Sequence, residues 1–300
     1  VLKIILKENK YENIEKFIEE IFWRAYWKGS LEKNPWIYKE YEMKQSDQFI
    51  PPKTGIQCFD HWKDELLETG YLHNHSRMWF ASIWIFTLGY TWESGANFFK
   101  NNLIDWCPAS NTLGWRWVAG IQTIGKPYIA KAENIKHFTE NKFYPHEQLI
   151  ENINLPSYMF SERPAQDINF PEEVVIPNKE NFGIIMNNND LTLNQSYVDL
   201  SLEHHTCLFK LNNKNSLINK FEKNIFEDIV NNYNKIEIIE TYENLFKWIE
   251  HNKIKNLILP YETIGNKIFN NPDFLNKLSY KKVNYQFHVN EWDRITLPYV

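Results

Sequence analysis

An uncharged aromatic run between two polar motifs is the feature that most constrains this chain. Residues 79–90 contain no charged side chain, and a helix that is apolar on all sides belongs in a core. A segment with His, Asn and Arg precedes the run at 72–78, and one with Asp and Asn follows at 105–120. Buried polar groups cost free energy unless they are paired. The pattern therefore predicts a site for a large, flat, polar-edged molecule beside an aromatic core.

Composition divides the 300-residue chain near residue 150. Ten of the twelve tryptophans lie before this point. The first 150 residues carry 18 basic and 18 acidic side chains, whereas the rest carries 15 and 20. Length and this asymmetry predict two domains. The zero net charge of the first part argues against a general polyanion-binding surface and leaves a local basic groove open.

Cysteine and histidine placement gives no support for a metal centre. Three cysteines without a CxxC pair argue against disulfides and metal clusters. His73 and His75 would diverge on a helix, and His204-His205 lack nearby ligand residues, so we expect solvated side chains there. No charge-free run of about 18 apolar residues occurs, and no secretory leader is recognised. We expect a cytoplasmic protein with no metal and no membrane span.

Hydrophobic periodicity predicts helices first and then strands alternating with helices. The predicted helices of the first half are 14–22, 58–67, 73–89, 94–103 and 111–119. The predicted strands are 182–186, 235–239, 256–259 and 283–287, with helices near 215–231 and 241–252. The fold class is therefore α plus α/β, with a mainly parallel sheet in the smaller second domain. The predicted domains are 1–150 and 181–300, joined by a proline-containing linker or wrapping segment over 151–180.

Four motifs follow one another in the first half. They are Glu19-Glu-Ile-Phe-Trp-Arg-Ala-Tyr-Trp27, Thr54-Gly-Ile-Gln-Cys-Phe-Asp60, His73-Asn-His-Ser-Arg-Met78 and the segment from Asp105 to Trp117. In order and spacing they resemble the FAD-binding domain of the DNA photolyase/cryptochrome family, over about residues 14–144. The resemblance implies an all-helical photolyase-type domain that binds FAD.

The resemblance also implies which residues hold the flavin. Asn74 is similar to the residue that contacts the folded cofactor, and Asn111 to the one that faces flavin N5. Arg77 and Asp105 resemble the ion pair beside the isoalloxazine ring. The alternative for this pair is an ordinary structural ion pair. The other implied cofactor contacts are Phe17, Glu20, Arg24 and Cys107.

Trp115 and Trp92 match two members of the family's tryptophan relay, which carries electrons to the photoexcited flavin. The third, surface member has no clear counterpart in this sequence. Three tryptophans are candidates for it: Trp36, Trp84 and Trp106. The alternative for all of them is that they fill a large helical core.

Repair members of the family flip a damaged base into a pocket over the flavin. By resemblance, Glu20 hydrogen-bonds the flipped pyrimidine, while Trp23 and Trp117 form the walls around it. Core packing is the alternative for these two tryptophans. The other positions implied at the lesion or its DNA strand are Arg24, His75 and Met78.

Several residues depart from the family pattern. His75 and Ala130 stand where arginines normally touch the DNA strand, and such losses weaken binding to any sequence. Cys107 replaces a second Asp at the pyrimidine edge of the flavin, where a thiol is a poorer acceptor. The α/β pattern follows the flavin domain instead of preceding it, which predicts a rearranged architecture. No antenna chromophore is implied.

The sequence thus predicts a photolyase-like flavoprotein. Reduced FAD would transfer an electron to pyrimidine dimers under blue light and split them, so damaged DNA is the expected partner. The alternative is a cryptochrome-like blue-light photosensor without repair activity. A third hypothesis is that the domain retains the family fold but has lost the light-driven chemistry.

Overall fold

Contacts divide the chain into two compact units. The computed structural model describes residues 2–8, 10–44, 49–153, 163–175, 181–188, 190–193, 197, 204–211, 213–232 and 236–299. The sheet unit comprises Val1–Lys33, Gln166–Lys214 and Asn219–Val300. The helical unit comprises Asn34–Ala165 and Asn215–Ile218. This division departs from the predicted boundaries, because the first 33 residues group with the sheet.

The helical unit confirms four of the five helices predicted for the first half, and the fifth, 14–22, lies in the sheet unit. The helical unit also contains two helices that were not predicted, at 35–43 and 132–138. Its elements are α3 (Pro35–Met43), α4 (Gln57–Thr69), α5 (Asn74–Ser82), a π-helical segment (Ile83–Thr87), α6 (Trp92–Asn102), α7 (Pro108–Val118) and α8 (Ala132–Phe138). Local chemistry sets their ends. Thr91 caps α6 by accepting a hydrogen bond from Ser94 N, and Pro108 occupies the first turn of α7. Gly70 ends α4 with a left-handed φ of 72°.

The uncharged run forms the centre of the helical unit. Residues 79–84 are buried, whereas 85–90 are partly exposed as the helix ends. Phe80 stacks on Phe59 with ring centroids 4.3 Å apart, and Trp84 is fully buried. The predicted buried aromatic helix is therefore confirmed for its first half.

The Thr54 motif closes the loop before α4. The Asp60 carboxylate accepts hydrogen bonds from Thr54 N (3.0 Å), Thr54 Oγ1 (3.2 Å) and Gly55 N (3.1 Å). A carboxylate in the first turn of α4 thus satisfies backbone donors that the preceding loop leaves open. The motif therefore stabilises the loop that precedes α4.

The sheet unit contains two helices from the start of the chain and an α/β fold. Its elements are α1 (Leu2–Glu8), α2 (Tyr11–Lys33), β1 (Phe182–Met186), β2 (His204–Phe209), α9 (Ser216–Asn232), β3 (Ile236–Ile239), α10 (Tyr242–His251), β4 (Asn256–Pro260), α11 (Pro272–Tyr280), β5 (Asn284–His288), α12 (Glu291–Thr296) and a 3₁₀ turn (Leu297–Tyr299). The strand order is β3-β2-β1-β4-β5, and every pairing is parallel. The predicted parallel sheet is confirmed.

Alternating side chains of β1 serve two separate cores. Ile185 joins the core beneath α10 and α11, while Ile184 and Met186 join the core on the opposite face with Phe226 of α9. A strand buried on both faces is expected at the centre of a parallel sheet. This explains why β1 reads as a continuous apolar run.

Strand β2 was not predicted. It begins at His204 and His205, which we expected to be solvated, and both are half-buried. The His204 ring stacks on Phe182 across the pairing of β2 with β1, with centroids 5.4 Å apart. Hydrophobic periodicity did not predict this strand, because two histidines precede its apolar residues.

Part of the predicted proline segment wraps around the sheet. Residues 163–175 have neither helix nor strand, and 154–162 and 176–180 lie outside the described residues. Gln286 of β5 donates to Val175 O (2.8 Å) and accepts from Val175 N (2.9 Å). The segment therefore contacts β5, an edge strand of the sheet, through the Gln286 side chain.

Helix α2 is fastened to the end of the sheet unit by charged groups. Lys28 Nζ lies 2.6 Å from Asp293 Oδ1 of α12, and the Phe22 ring contacts Trp292. Glu32 accepts hydrogen bonds from Tyr261 OH (2.9 Å) and Ile264 N (2.5 Å). These contacts are the physical reason why the start of the chain groups with the sheet.

Glu32 should make the stability of the sheet unit depend on pH. Burial raises the pKa of this carboxyl above its usual 4.5, and the Ile264 and Tyr261 donors and Lys28 oppose the shift. Such a group stabilises the fold fully below its unfolded pKa, and this contribution is lost as the pH rises through the folded value. We expect Glu32→Gln to reduce the fall in unfolding free energy from pH 4.5 upward, as measured by denaturant titration.

An exposed carboxylate provides the control. The hydrogen bond from Lys247 lowers the pKa of Glu243, so Glu243→Gln should remove a rise of the unfolding free energy with pH below 4.5 and leave the profile above 4.5 unchanged. Identical pH profiles for the wild type and Glu32→Gln would contradict the prediction.

No helix among the described residues is long and apolar enough to cross a membrane.

Candidate functional site

Helix α5 positions two of the predicted cofactor residues on one face. Asn74 and Arg77 are three residues apart, which places them side by side on a helix. His73 precedes the helix and accepts a hydrogen bond from His75 N through Nδ1 (3.3 Å). Asn74 is exposed at the first turn, so its amide is accessible.

Arg77 and Asp105 form the predicted ion pair. Arg77 Nη2 donates to Asp105 Oδ2 at 2.9 Å, and Arg77 Nε donates to Leu72 O at 2.8 Å. The arginine side chain is 18% exposed and the aspartate 42%. The pair is thus anchored on the arginine side and open on the carboxylate side.

A backbone hydrogen bond ties together the two segments that carry this pair. Ile104 N donates to Gly70 O at 2.9 Å, immediately before Asp105 and shortly before α5. A Cβ on Gly70 would lie 2.6 Å from Ile104 Cγ2. Close approach of the two segments therefore requires glycine at this position.

Asn111 and Cys107 lie together at the start of α7. Asn111 Nδ2 donates to Cys107 O at 3.2 Å, which leaves Asn111 Oδ1 with no partner among the described residues. The Ser110 hydroxyl lies 3.5 Å from Cys107 Sγ. Both residues are partly exposed, so the first turn of α7 presents a carbonyl oxygen and a thiol.

Trp115 lies one turn after Asn111 on the same face of α7 and is buried. Its ring makes edge contacts with Phe99 (5.0 Å between centroids) and Trp84 (6.0 Å). Trp84 donates through Nε1 to Thr91 O at 3.1 Å. Of the three candidates for the third relay tryptophan, Trp84 is the one in ring contact with Trp115 within the described parts of the chain.

Trp92 lies at the start of α6 and packs against α3. Its ring stacks on Tyr41 at 5.8 Å, and the Arg116 guanidinium lies 5.7 Å from its centroid. The centroid of the Trp36 ring lies 5.6 Å from the same guanidinium. Trp106 is half-buried. The structure thus surrounds Arg116 with two indoles, an arrangement that the sequence analysis missed.

Four other predicted residues lie on α2, in the sheet unit. They are Phe17, Glu20, Trp23 and Arg24, and all four are exposed. Trp23 is 52% exposed, and its ring contacts Trp27 (6.1 Å) and Tyr26 (5.6 Å). Core packing, the alternative for Trp23, is therefore wrong.

The remaining lesion positions lie in the helical unit. The His75 ring stacks on Trp79 at 5.5 Å, so this histidine covers the core instead of projecting as an arginine would. Trp117 is half-buried and stacks on Tyr128 at 5.5 Å, and Met78 is also half-buried. Ala130 is buried, and its N–H donates to Ser82 Oγ.

The sequence of this part of the chain matches a known family. The model of the FAD binding domain of DNA photolyase matches residues 3–205, which is more than half of the chain. The chain belongs to the DNA photolyase family. FAD is the cofactor of this domain.

Individual relatives are similar but distant, and each aligns over part of its length. The deoxyribodipyrimidine photo-lyase of Alkalihalophilus pseudofirmus is 28% identical over 163 residues, covering 49% of this chain and 34% of the relative. That of Buchnera aphidicola from Acyrthosiphon pisum is 25% identical over 201 residues, 58% of this chain and 42% of the relative. That of Escherichia coli is 29% identical over 126 residues, which cover 38% of this chain and 27% of the relative. The chain therefore spans less than half the length of these relatives. No solved structure gives a significant match.

The polar atoms of the helical unit fit a flavin edge. Arg77 retains Nη1, Asp105 retains an exposed carboxylate oxygen, and Asn111 retains its side-chain oxygen, none with a protein partner among the described residues. The polar edge of an isoalloxazine ring needs such a mixture of donors and acceptors. Within the described residues, no cluster of three or more His, Cys, Asp or Glu side chains could hold a metal ion.

Proposed function

We propose that this photolyase-family flavoprotein splits pyrimidine dimers in DNA by light-driven electron transfer. One observation carries the proposal: an acid, an indole and a guanidinium stand exposed together on α2, as Glu20, Trp23 and Arg24. Leaving a large aromatic side chain half in water is unfavourable for the free chain, and such residues often mark binding surfaces. An acceptor, a stacking surface and a cation are what a flipped pyrimidine and its phosphate require.

Each residue would have a distinct role in holding the lesion. On α2, Glu20 would accept a hydrogen bond from the pyrimidine edge, Trp23 would stack on the base, and Arg24 would contact a phosphate. In the helical unit, the family resemblance assigns stacking on the lesion to Trp117 and an apolar contact with it to Met78. Bound reduced FAD would supply, under light, the electron that opens the dimer and would take it back once the dimer has split.

The interior aromatic residues would serve the cofactor instead. Asn111 and Trp115 lie on one face of α7, so an indole and an amide would approach the flavin together. Trp115 would donate one electron to the excited cofactor, and a neighbouring tryptophan, Trp92 or Trp84, would replace that electron. Contact between the Trp84 and Trp115 rings supports this second step.

A blue-light photosensor without repair activity is the second candidate. Two observations favour it: the His75 ring is engaged on Trp79, and Ala130 is buried. Neither position carries the arginine that touches the DNA strand in repair members of the family. Sensor function would need the relay residues and not the exposed face of α2.

We expect Trp23→Ala and Trp117→Ala each to weaken binding of a thymine-dimer oligonucleotide about 5- to 150-fold, because base–aromatic stacking contributes about 1–3 kcal/mol. The rate at which the FAD-loaded, chemically reduced variants repair the dimer under blue light should decrease together with the binding affinity. Trp115→Phe should leave that repair intact and abolish photoreduction of the oxidised protein. Tyr280→Ala, which removes an exposed aromatic ring from α11, is the control.

The measurements separate the two candidates. Photoreduction that requires Trp115, together with no dimer binding, would exclude repair and support the sensor. Dimer repair that survives both stacking variants would contradict the assigned lesion surface.

A further inference from the structure

A cavity of about 630 Å³ opens in the helical unit beside α3, α6 and α7. This volume is within the range of small-molecule sites in proteins. Its walls include the indoles of Trp36 and Trp92 and the guanidinium of Arg116. None of the predicted contacts to FAD or to a damaged base lines it.

Arg116 is held in place without a carboxylate partner. Its guanidinium lies between Trp36 and Trp92, at 5.6 and 5.7 Å from their ring centroids. Its Nε donates to Gln122 Oε1 over 3.4 Å, a weak bond. Within residues 34–44, 49–153 and 163–165, no carboxylate forms an ion pair with it, and its terminal N–H groups have no protein acceptor.

The other charges around the cavity are already paired. Glu40 lies 2.5 Å from Arg163, and Glu93 lies 3.0 Å from Lys44. Three cationic and two anionic side chains thus line the cavity, and Arg116 is the unmatched one. Burial lowers the pKa of Arg116, while the more distant Glu40 and Glu93 oppose that shift.

The two other arginines of the helical unit each have the carboxylate partner that Arg116 lacks. Arg77 and Arg163 each contact a carboxylate oxygen, at 2.9 and 2.5 Å. A partly buried cation is costly unless an anion neutralises it. Guanidinium groups bind carboxylates and phosphates through paired N–H donors.

We propose that the cavity binds a small oxyanion, a phosphate or carboxylate group of a small molecule, with Arg116 as its principal contact. Lys44 and Arg163 also line the cavity, but Glu93 and Glu40 offset their charges, so Arg116 supplies its net positive charge. The aromatic walls hold the guanidinium still, so little side-chain freedom is lost on binding.

The anion would also regulate the proposed electron relay, and this consequence rests on the proposed function. When Trp92 gives one electron to oxidised Trp115, its own ring becomes a cation. The positive charge of Arg116, 5.7 Å away, opposes this step. A bound oxyanion would offset that charge and favour oxidation of Trp92.

The test is a titration of the full chain in the dark with inorganic phosphate and, separately, with benzoate. Binding is followed by calorimetry and by tryptophan fluorescence, with sodium chloride at matched ionic strength as the control for screening. We expect saturable binding, weakened at least tenfold in Arg116→Gln and less in Arg116→Lys, which keeps the charge but loses the fork. Lys126→Gln, which removes an exposed cation that does not line the cavity, should bind like the wild type.

The outcomes decide the proposal independently of light chemistry. Phosphate binding without benzoate binding, or the reverse, identifies the source of the oxyanion. A wild-type response no greater than that of sodium chloride would overturn the site even if Arg116→Gln did not fold, and so would equal affinities in wild type and Arg116→Gln. Phosphate binding in a chain that neither photoreduces FAD nor repairs dimers would refute the proposed function and leave the site standing.

Discussion

Arg77→Leu is expected to lower the affinity for FAD about 10- to 150-fold, because a hydrogen bond to a charged group contributes about 1.5–3 kcal/mol. In the structure Arg77 joins Asp105 to the carbonyl of Leu72, so one side chain orders both segments at the polar rim. Its removal leaves the Asp105 carboxylate unpaired beside the proposed position of the ring. Flavin fluorescence titration of the apoprotein measures the effect.

Two variants show whether this loss is specific. Arg77→Lys keeps the positive charge but cannot contact Leu72 O and Asp105 together, so its affinity should be intermediate. Lys247→Leu breaks the exposed Lys247–Glu243 pair of α10, and such a pair contributes little. It should leave FAD affinity unchanged. If Arg77→Leu bound FAD within twofold of wild type, the ion pair would be purely structural.

Much of the fold could be predicted because the patterns are local. The charge-free run predicted the central helix, the periodic segment 58–67 predicted α4, and the strand-like segments predicted four of the five parallel strands. Asp105 and Arg77 could be paired only through the family resemblance, since 28 residues separate them. The structure then brought them to 2.9 Å.

The unpredicted features depend on contacts between distant segments. Grouping of α2 with the sheet unit follows from Lys28 meeting Asp293, 265 residues later, and no periodicity reports this. Arg116 lies between two tryptophans that the sequence marked, yet its position between Trp36 and Trp92 arises from the packing of α3 against α6 and α7. Strand β2 was missed because histidines begin it.

Gly95→Ala and Gly114→Ala should have opposite effects on stability, although both replace a helical glycine. A Cβ on Gly95 would lie 2.3 Å from two ring atoms of Trp115 and 3.0 Å from Trp84 Nε1, whereas a Cβ on Gly114 would meet nothing within 4 Å. Overpacking a core typically costs about 1–3 kcal/mol. Replacing an unobstructed helical glycine by alanine contributes up to about 1 kcal/mol of stability. Thermal unfolding followed by tryptophan fluorescence should therefore place Gly114→Ala above the wild type and Gly95→Ala below it.

The pair of variants also tests whether the position of Trp115 matters for electron transfer. Since Trp115 is buried against Phe99 and Trp84, a displaced ring in Gly95→Ala must move away from at least one of them. Photoreduction of bound FAD should then slow in Gly95→Ala and stay at the wild-type rate in Gly114→Ala, with both compared well below their unfolding temperatures. Equal unfolding midpoints in the two variants would show that α6 shifts to accommodate the methyl group added in Gly95→Ala. The close packing of Gly95 on Trp115 would then no longer explain why residue 95 is a glycine.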